Sequence, residues 1–600
     1  MDEQNRNLIL ASVLCLAVII IWPFLVPPPV EAPQPAVVPQ ETNTIAPAAA
    51  PVTAQQRTAP EELAEGRTDA PRIAIDTKEL SGSISLQGGR IDDLALKSYQ
   101  TSLDEGASIV RLFRGTDGPE AFYADFGWAP GGALGFDDVP TATTIWNADA
   151  SATLTENTPV TLRWDNGKGL VFTRVISIDE NFMFSVEQSV TNTADAAARL
   201  APYSALMRHG IPTTLKNFFI IHEGAMRQTG EELSEYDYDD ISDFDRDDRW
   251  GATADVAQIQ QNGWLGFTDH YWMSMLIPAS AQPFTGVLQY NEARNTFRSE
   301  ARLPTVDLAA GETISVSTQL FAGAKEWETI RNYENDGGIY NFLDSIDWGW
   351  FFFLTKPIFA VLHWLNAVIG NMGWSIIALT LLIKAILLPL AYKSYVSMAR
   401  MKELQPEMEK LKEAAGDDRE KMQKGMIELY KKNKVNPASG CLPILMQIPI
   451  FFSLYKVIFV TIELRHAEWI GWIRDLSAPD PSSILNLFGL LPYATPEPTS
   501  IFYILSLGVL PIILGISMWL QQKLNPAPTD ATQAMIFAWM PWVFMFMLGS
   551  FASGLVIYWI ANNTITFSQQ YLIMRSQGIK PDVFGNIKKG FSRKSKTEET

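Results

Sequence analysis

Cysteine and histidine are scarce in this chain of 600 residues: there are two cysteines, Cys15 and Cys441, and five histidines, the latter scattered without ligand spacing. Both cysteines lie in or beside apolar runs, so the long polar stretch between them holds no disulfide framework, and each thiol is expected to be buried and inert. Leu14, a bulky residue, precedes Cys15 where a lipid-attachment sequence needs a small one. The chain also lacks a Gly-x-x-x-x-Gly-Lys-Ser/Thr phosphate loop and a His-Glu-x-x-His pair. Nucleotide hydrolysis on such a loop and zinc chemistry on such a pair therefore have no support in the sequence. The expectation is no enzyme, no metal and no cofactor.

Charge is sparse and segregated. Only 19% of residues are charged against 47% hydrophobic, and the net charge is −19. From Arg57 to Asp344 there are 44 acidic and 22 basic residues, whereas the remainder holds 22 acidic and 25 basic ones. A soluble binder of nucleic acid needs a concentrated basic face, so DNA is not an expected partner. A chain this long, oily in some regions and acidic in another, reads as a multi-domain membrane protein.

What is present divides the chain into segments. Residues 1–26 contain the apolar run Leu8 to Val26 behind Arg6, long enough to cross a bilayer core of about 30 Å, and read as a signal-anchor helix, with a cleaved signal peptide as the alternative. Residues 27–60 are rich in Pro and Ala and read as an extended tether. Residues 61–344 show short alternating runs such as Arg72-Ile-Ala-Ile-Asp76, broken by turn signals at Gly88-Gly89 and Asp165-Asn-Gly167. These predict an all-β domain, a large sandwich. Its acidic stretch Tyr236 to Asp248 reads as a solvated loop, since Asp248 stands where a calcium loop needs glycine.

Apolar runs return at 348–370, 373–394, 441–462, 501–520, 535–552 and 553–574. Eleven Lys and Arg between Lys393 and Lys434 place that segment in the cytoplasm. With the β domain outside, one of the two runs before it does not cross. Residues 345–371, which mix Trp350, Phe352, Phe353 and Trp364 with Lys356, Pro357 and His363, are expected to lie flat as an interfacial amphipathic helix. Residues 372–576 then form a five-span helical core with both termini inside, and 577–600 a basic tail.

Between 395 and 437 the spacing predicts a cytoplasmic helical hairpin, turning at Gly416 with Asp417 as N-cap and Glu420 three residues on. Met401, Leu404, Met408 and Leu411 face Met422, Met426, Leu429 and Tyr430 in a narrow seam that suits a contact surface.

The candidate site residues are polar groups inside these apolar runs. Lys384 lies eleven residues into the 373–394 run, near the bilayer midplane, where an ammonium costs about 2.5–3.5 kcal/mol to insert. No carboxylate occurs in the core runs, so water or a visiting acidic group has to solvate it. Thr380 stands one turn earlier on the same face. Trp559, Asn562, Asn563, Thr566, Gln569 and Gln570 have the spacing of one helical stripe, and Gln447 sits in the cytoplasmic third of its run. A hydrated groove follows, although interhelical glue is the plainer role for amides taken singly. A midplane lysine also suits a small-solute transporter, the alternative reading, but no second copy of its span is found.

The segments Tyr395-Val-Ser-Met-Ala-Arg-Met-Lys-Glu-Leu-Gln-Pro406, Tyr430-Lys-Lys-Asn-Lys-Val-Asn-Pro-Ala-Ser-Gly-Cys-Leu-Pro-Ile-Leu-Met-Gln-Ile-Pro-Ile-Phe451, Glu463-Leu-Arg-His466, Asp475-Leu-Ser477 and Ser553-Gly-Leu-Val-Ile-Tyr558 closely resemble the YidC/Oxa/Alb family of membrane protein insertases. The tethered β domain resembles that of Gram-negative members, a sugar-binding type of supersandwich. The resemblance implies a groove open to cytoplasm and lipid, an inner-membrane location, and nascent membrane proteins and the Sec translocon as partners. It implies a groove cation at Lys384, where relatives usually carry arginine, a groove threonine at Thr380, and a stacking ring at Trp559, where some relatives have tyrosine. For the basic tail, with Lys580, Lys588, Lys589, Arg593, Lys594 and Lys596, the readings are ribosomal RNA or anionic lipid.

Overall fold

A computed structural model describes residues 70–578 apart from 117, 119, 150, 216–220, 231, 417, 434, 436–441, 493–495, 497–504 and 526–530. The first apolar run, the tether, both cysteines and the tail from Lys580 lie outside the described residues, as does Asp417.

Alternation of side chains builds the β domain. In Arg72–Asp76 only Ile73, Ile75 turn fully inward, and Leu170–Ile178 alternates in the same way over nine residues. Strands of period two bury one face each, so two sheets close over a shared core. Among the described residues the larger sheet has twelve strands and the smaller eight. The larger one passes, from neighbour to neighbour, through Phe284–Asn291, Thr296–Arg302, Ala198–His209, Phe122–Gly131 and Arg90–Gln100. The two glycine turns form as expected, with Gly88, Gly89 and Gly167 all at positive φ.

The acidic stretch corrects the expectation of a solvated loop. Residues Tyr238–Ser242 make a helical turn that buries Tyr238 and Ile241, and Tyr238 packs on Phe267 and Phe297. Its apolar residues fall on one side of the turn, so burial of that side outweighs the acidity of the other.

After the last strand of the sandwich, the helix Trp327–Asn335 and the turn Phe342–Ser345 lead into the helix Phe352–Ile369. The latter buries Thr355, Phe359 and Leu362 and leaves Phe352, Phe353 and Trp364 exposed. Among the described residues it is the one helix that is singly long and apolar enough to cross a membrane. It stops at Gly370, which takes a left-handed conformation, and Asn371 caps the next helix by accepting from the Trp374 amide at 3.1 Å.

The 373–394 run is not one helix. Met372–Ile386 ends before Leu387, and Leu388–Glu403 continues at an angle of 69°. Pro389, in the first turn of the second helix, has no N–H to donate back, so the chain bends there. Lys384 consequently lies in the last turn of its helix, not at the middle of a long one.

The hairpin arms are Gln405–Ala415 and Arg419–Lys432, with Leu404 breaking the first arm from the helix before it. The N-cap is Asp418, one residue later than expected, its carboxylate accepting from the Lys421 amide at 3.0 Å. The remaining described helices are Leu442–Val460, Val509–Gln522, Ala531–Met547 and Ser553–Ser576. In the 501–520 run the described α-helix starts at Val509, with Gly508 as its N-cap.

Candidate functional site, a polar chain among apolar helices

Lys384 Nζ donates to Gln447 Oε1 at 3.0 Å, linking the Met372–Ile386 helix to the Leu442–Val460 helix. The Gln447 amide nitrogen in turn donates to the Tyr558 hydroxyl on the Ser553–Ser576 helix. Gln569, on that third helix, donates to the Lys384 carbonyl at 3.3 Å. Three helices are thus joined by one chain of polar groups. The ammonium has a protein partner after all, but a neutral one, so its charge is solvated in part and not cancelled.

The amide stripe divides. Trp559 stacks on Phe451, with ring centroids 4.8 Å apart, facing the Gln447 helix. Asn563 donates to Ser517 Oγ at 3.1 Å and Gln570 to Asn525 Oδ1 at 3.1 Å, both towards the Val509–Gln522 side. Asn562 is buried and donates to its neighbour Asn563 at 3.4 Å, while among the described residues its own Oδ1 accepts no hydrogen bond. Thr566 is buried as well. Thr380 is not brought to the ammonium: it is 2% exposed and its hydroxyl donates to the Ile376 carbonyl of its own helix. That bond is the common resting place for a helical threonine with no better acceptor.

The hairpin seam closes on itself. Leu404 and Met408 are buried, Met401, Leu411, Met422, Met426, Leu429 and Tyr430 are half-buried, and the Tyr430 hydroxyl meets the Met408 sulfur at 3.7 Å. Its apolar residues hold the arms together, and the outward faces carry charged side chains together with the exposed Ile427.

A set of contacts that no local pattern announces ties the β domain to the helices. Lys456 pairs with Asp347, and Arg465 donates to the carbonyls of Gln100 and Thr101 while lying 5.4 Å from the Trp272 ring. His270 donates to the Phe459 carbonyl at 2.6 Å. The Glu463 carboxylate accepts from the Trp327 amide at 3.2 Å through Oε1, and its Oε2 is buried without a hydrogen bond. Enclosure pushes this carboxyl up to about 7.

Residues 364–580 match the family model described as 60Kd inner membrane protein, and residues 72–361 match that of the YidC periplasmic domain. The chain belongs to the YidC family of membrane protein insertases. It is 61% identical to the membrane protein insertase YidC of Dinoroseobacter shibae, with both chains covered in full. It is 64% identical to that of a Ruegeria species, over all of this chain and 99% of the relative. A crystal structure of an active YidC insertase overlaps 84% of this chain and 93% of its own, at 17% identity and a TM-score of 0.36. For a YidC relative, the Lys384, Gln447 and Tyr558 chain is the polar feature to be explained. Tyr558, Ser517 and Asn525 were not among the candidate site residues because a single hydroxyl or amide carries no periodic signal.

Proposed function

We infer that this chain inserts newly made membrane proteins into the inner membrane, and that Lys384 is where the polar flank of a client rests. The observation that carries the reading is the ammonium held by a neutral amide among apolar helices: a carboxylate on a client is a better partner than Gln447, and exchange costs one hydrogen bond. The client's apolar segment, about twenty residues long, drives the reaction by leaving water for lipid, so no nucleotide is needed. An inside-negative membrane potential adds about 2.3 kcal/mol per negative charge moved outward across 100 mV. Gln569, which donates to the Lys384 carbonyl, extends the polar path beside it, Asn562, Asn563 and Gln570 back that path from the Val509–Gln522 side, and Trp559 with Phe451 forms its aromatic wall.

The arrangement in the membrane belongs to the same proposal. The β domain lies in the periplasm, five spans form the core, and both termini are cytoplasmic. The Phe352–Ile369 helix rests on the outer leaflet, a placement favoured by the ion pair of Lys356 with Asp344 and by exposed Trp350 and Trp364. The hairpin receives clients, some passed on by the Sec translocon, while the basic tail contacts ribosomal RNA or anionic lipid.

The test is reconstitution of the purified chain in liposomes with a newly made single-span client and no ATP. Protease protection of the client's outer tail is the expected result. An unprotected tail together with solute uptake would favour a transporter instead.

A further inference from the structure

The open face of the larger sheet holds a basic cavity apart from the helical site. Strand register sets a row across four strands: Tyr123 pairs with Met207, Met207 with Arg298, and Arg298 with Gln289. Residues so paired project to one face, and Arg90 joins them from the next strand, with its guanidinium 5.0 Å from the Tyr123 ring. The row borders a cavity of about 60 Å³, which His209 and Arg294 complete.

Two of the residues that line it carry a buried polar atom with no hydrogen-bond partner among the described residues. Arg90 is 5% exposed, its Nε has no hydrogen-bond partner, and among the described residues no carboxylate forms an ion pair with it. Asp125, cross-strand from Arg90 by the Ile91 to Ala124 pairing, accepts instead from the Tyr203 hydroxyl at 3.3 Å. The Gln289 side-chain oxygen is likewise buried without a partner. A buried guanidinium that forms no ion pair among the described residues is costly to keep. Among the described residues, none that lines the cavity is Asp or Glu.

We propose that this cavity binds a small oxyanion, a phosphate or carboxylate group, through the Arg90 guanidinium and the Gln289 amide. The planar fork of arginine fits both oxyanions, and rotation of the amide turns its NH₂ towards the guest. Arg298, held by Glu300 at 2.7 Å, and Arg294 add positive potential at the rim.

The experiment is titration calorimetry on the full chain in detergent micelles, with inorganic phosphate in one arm and acetate in the other, against sodium chloride of matched ionic strength. Saturable binding in either arm and none with chloride is expected, and the arm that binds identifies the oxyanion. Arg90→Gln should weaken it by about tenfold or more, the loss of a charge-assisted hydrogen bond. Gln289→Leu, which changes no charge, should weaken it less. Arg246→Gln, on an exposed residue of the same sheet, should leave it unchanged. Absence of saturable binding by the unaltered chain in both arms overturns the proposal, as does binding that folded Arg90→Gln and Gln289→Leu proteins both retain in full.

Discussion

Lys384 and Gln447 meet across two apolar helices, with 3.0 Å between the ammonium and the amide oxygen. The pairing satisfies one of three donors on the lysine and leaves its charge in place. A neutral partner of this kind holds the side chain in position without competing strongly for a negatively charged guest.

Charge at residue 384 should therefore govern insertion. Lys384→Glu is expected to lower insertion of a single-span client with an acidic exported tail by about tenfold or more, because like charges meet. Lys384→Ala should fall between, and Lys384→Arg should stay within about twofold. Protease protection in liposomes measures all three, and full activity of the Glu variant would refute the electrostatic reading.

Residue 447 separates stability from capture. Gln447→Leu strands both the ammonium and the Tyr558 hydroxyl and should cost about 1–3 kcal/mol in a thermal melt. Gln447→Glu supplies a resident counter-charge, so the melting temperature should hold while insertion of the acidic client drops. Insertion and melting temperature moving together would make the residue merely structural.

Glu463 makes the junction between β domain and helices sensitive to pH. Its carboxyl is held at about 7 against an ordinary 4.5, so the fold keeps a proton that the unfolded chain releases. Stability from this group is complete below about pH 4.5 and declines as pH rises towards 7, by on the order of 3 kcal/mol in all. Melting curves between those limits should show the decline, and Glu463→Gln should flatten it.

The hairpin should matter more than the β domain. Met408→Glu buries a charge in the seam and is expected to loosen the arms and reduce insertion several-fold, as judged by limited proteolysis and the liposome assay. Deletion of residues 60–320 should have the milder effect. The reverse ranking would move the activity outward.

Much of this was legible because polar residues inside apolar runs are conspicuous. Lys384 and Gln447 stand out for that reason, and the strands of the sandwich follow from alternation around Ile73, Ile75 and their like. The bend at Leu387 was hidden by hydropathy that continues unbroken to Ala391, with Pro389 the single sign. The cap fell on Asp418 and not Asp417 because two adjacent aspartates compete for one role. Asp347 with Lys456, and Arg465 with Gln100, are separated by long stretches of chain, so only the folded topology brings them together.

Pro449 lies inside the Leu442–Val460 helix, between Gln447 on one side and Lys456 on the other. Lacking an amide hydrogen, it leaves the Leu445 carbonyl without its helical donor and weakens the rod at that level. The helix that carries both polar anchors therefore has a soft point between them.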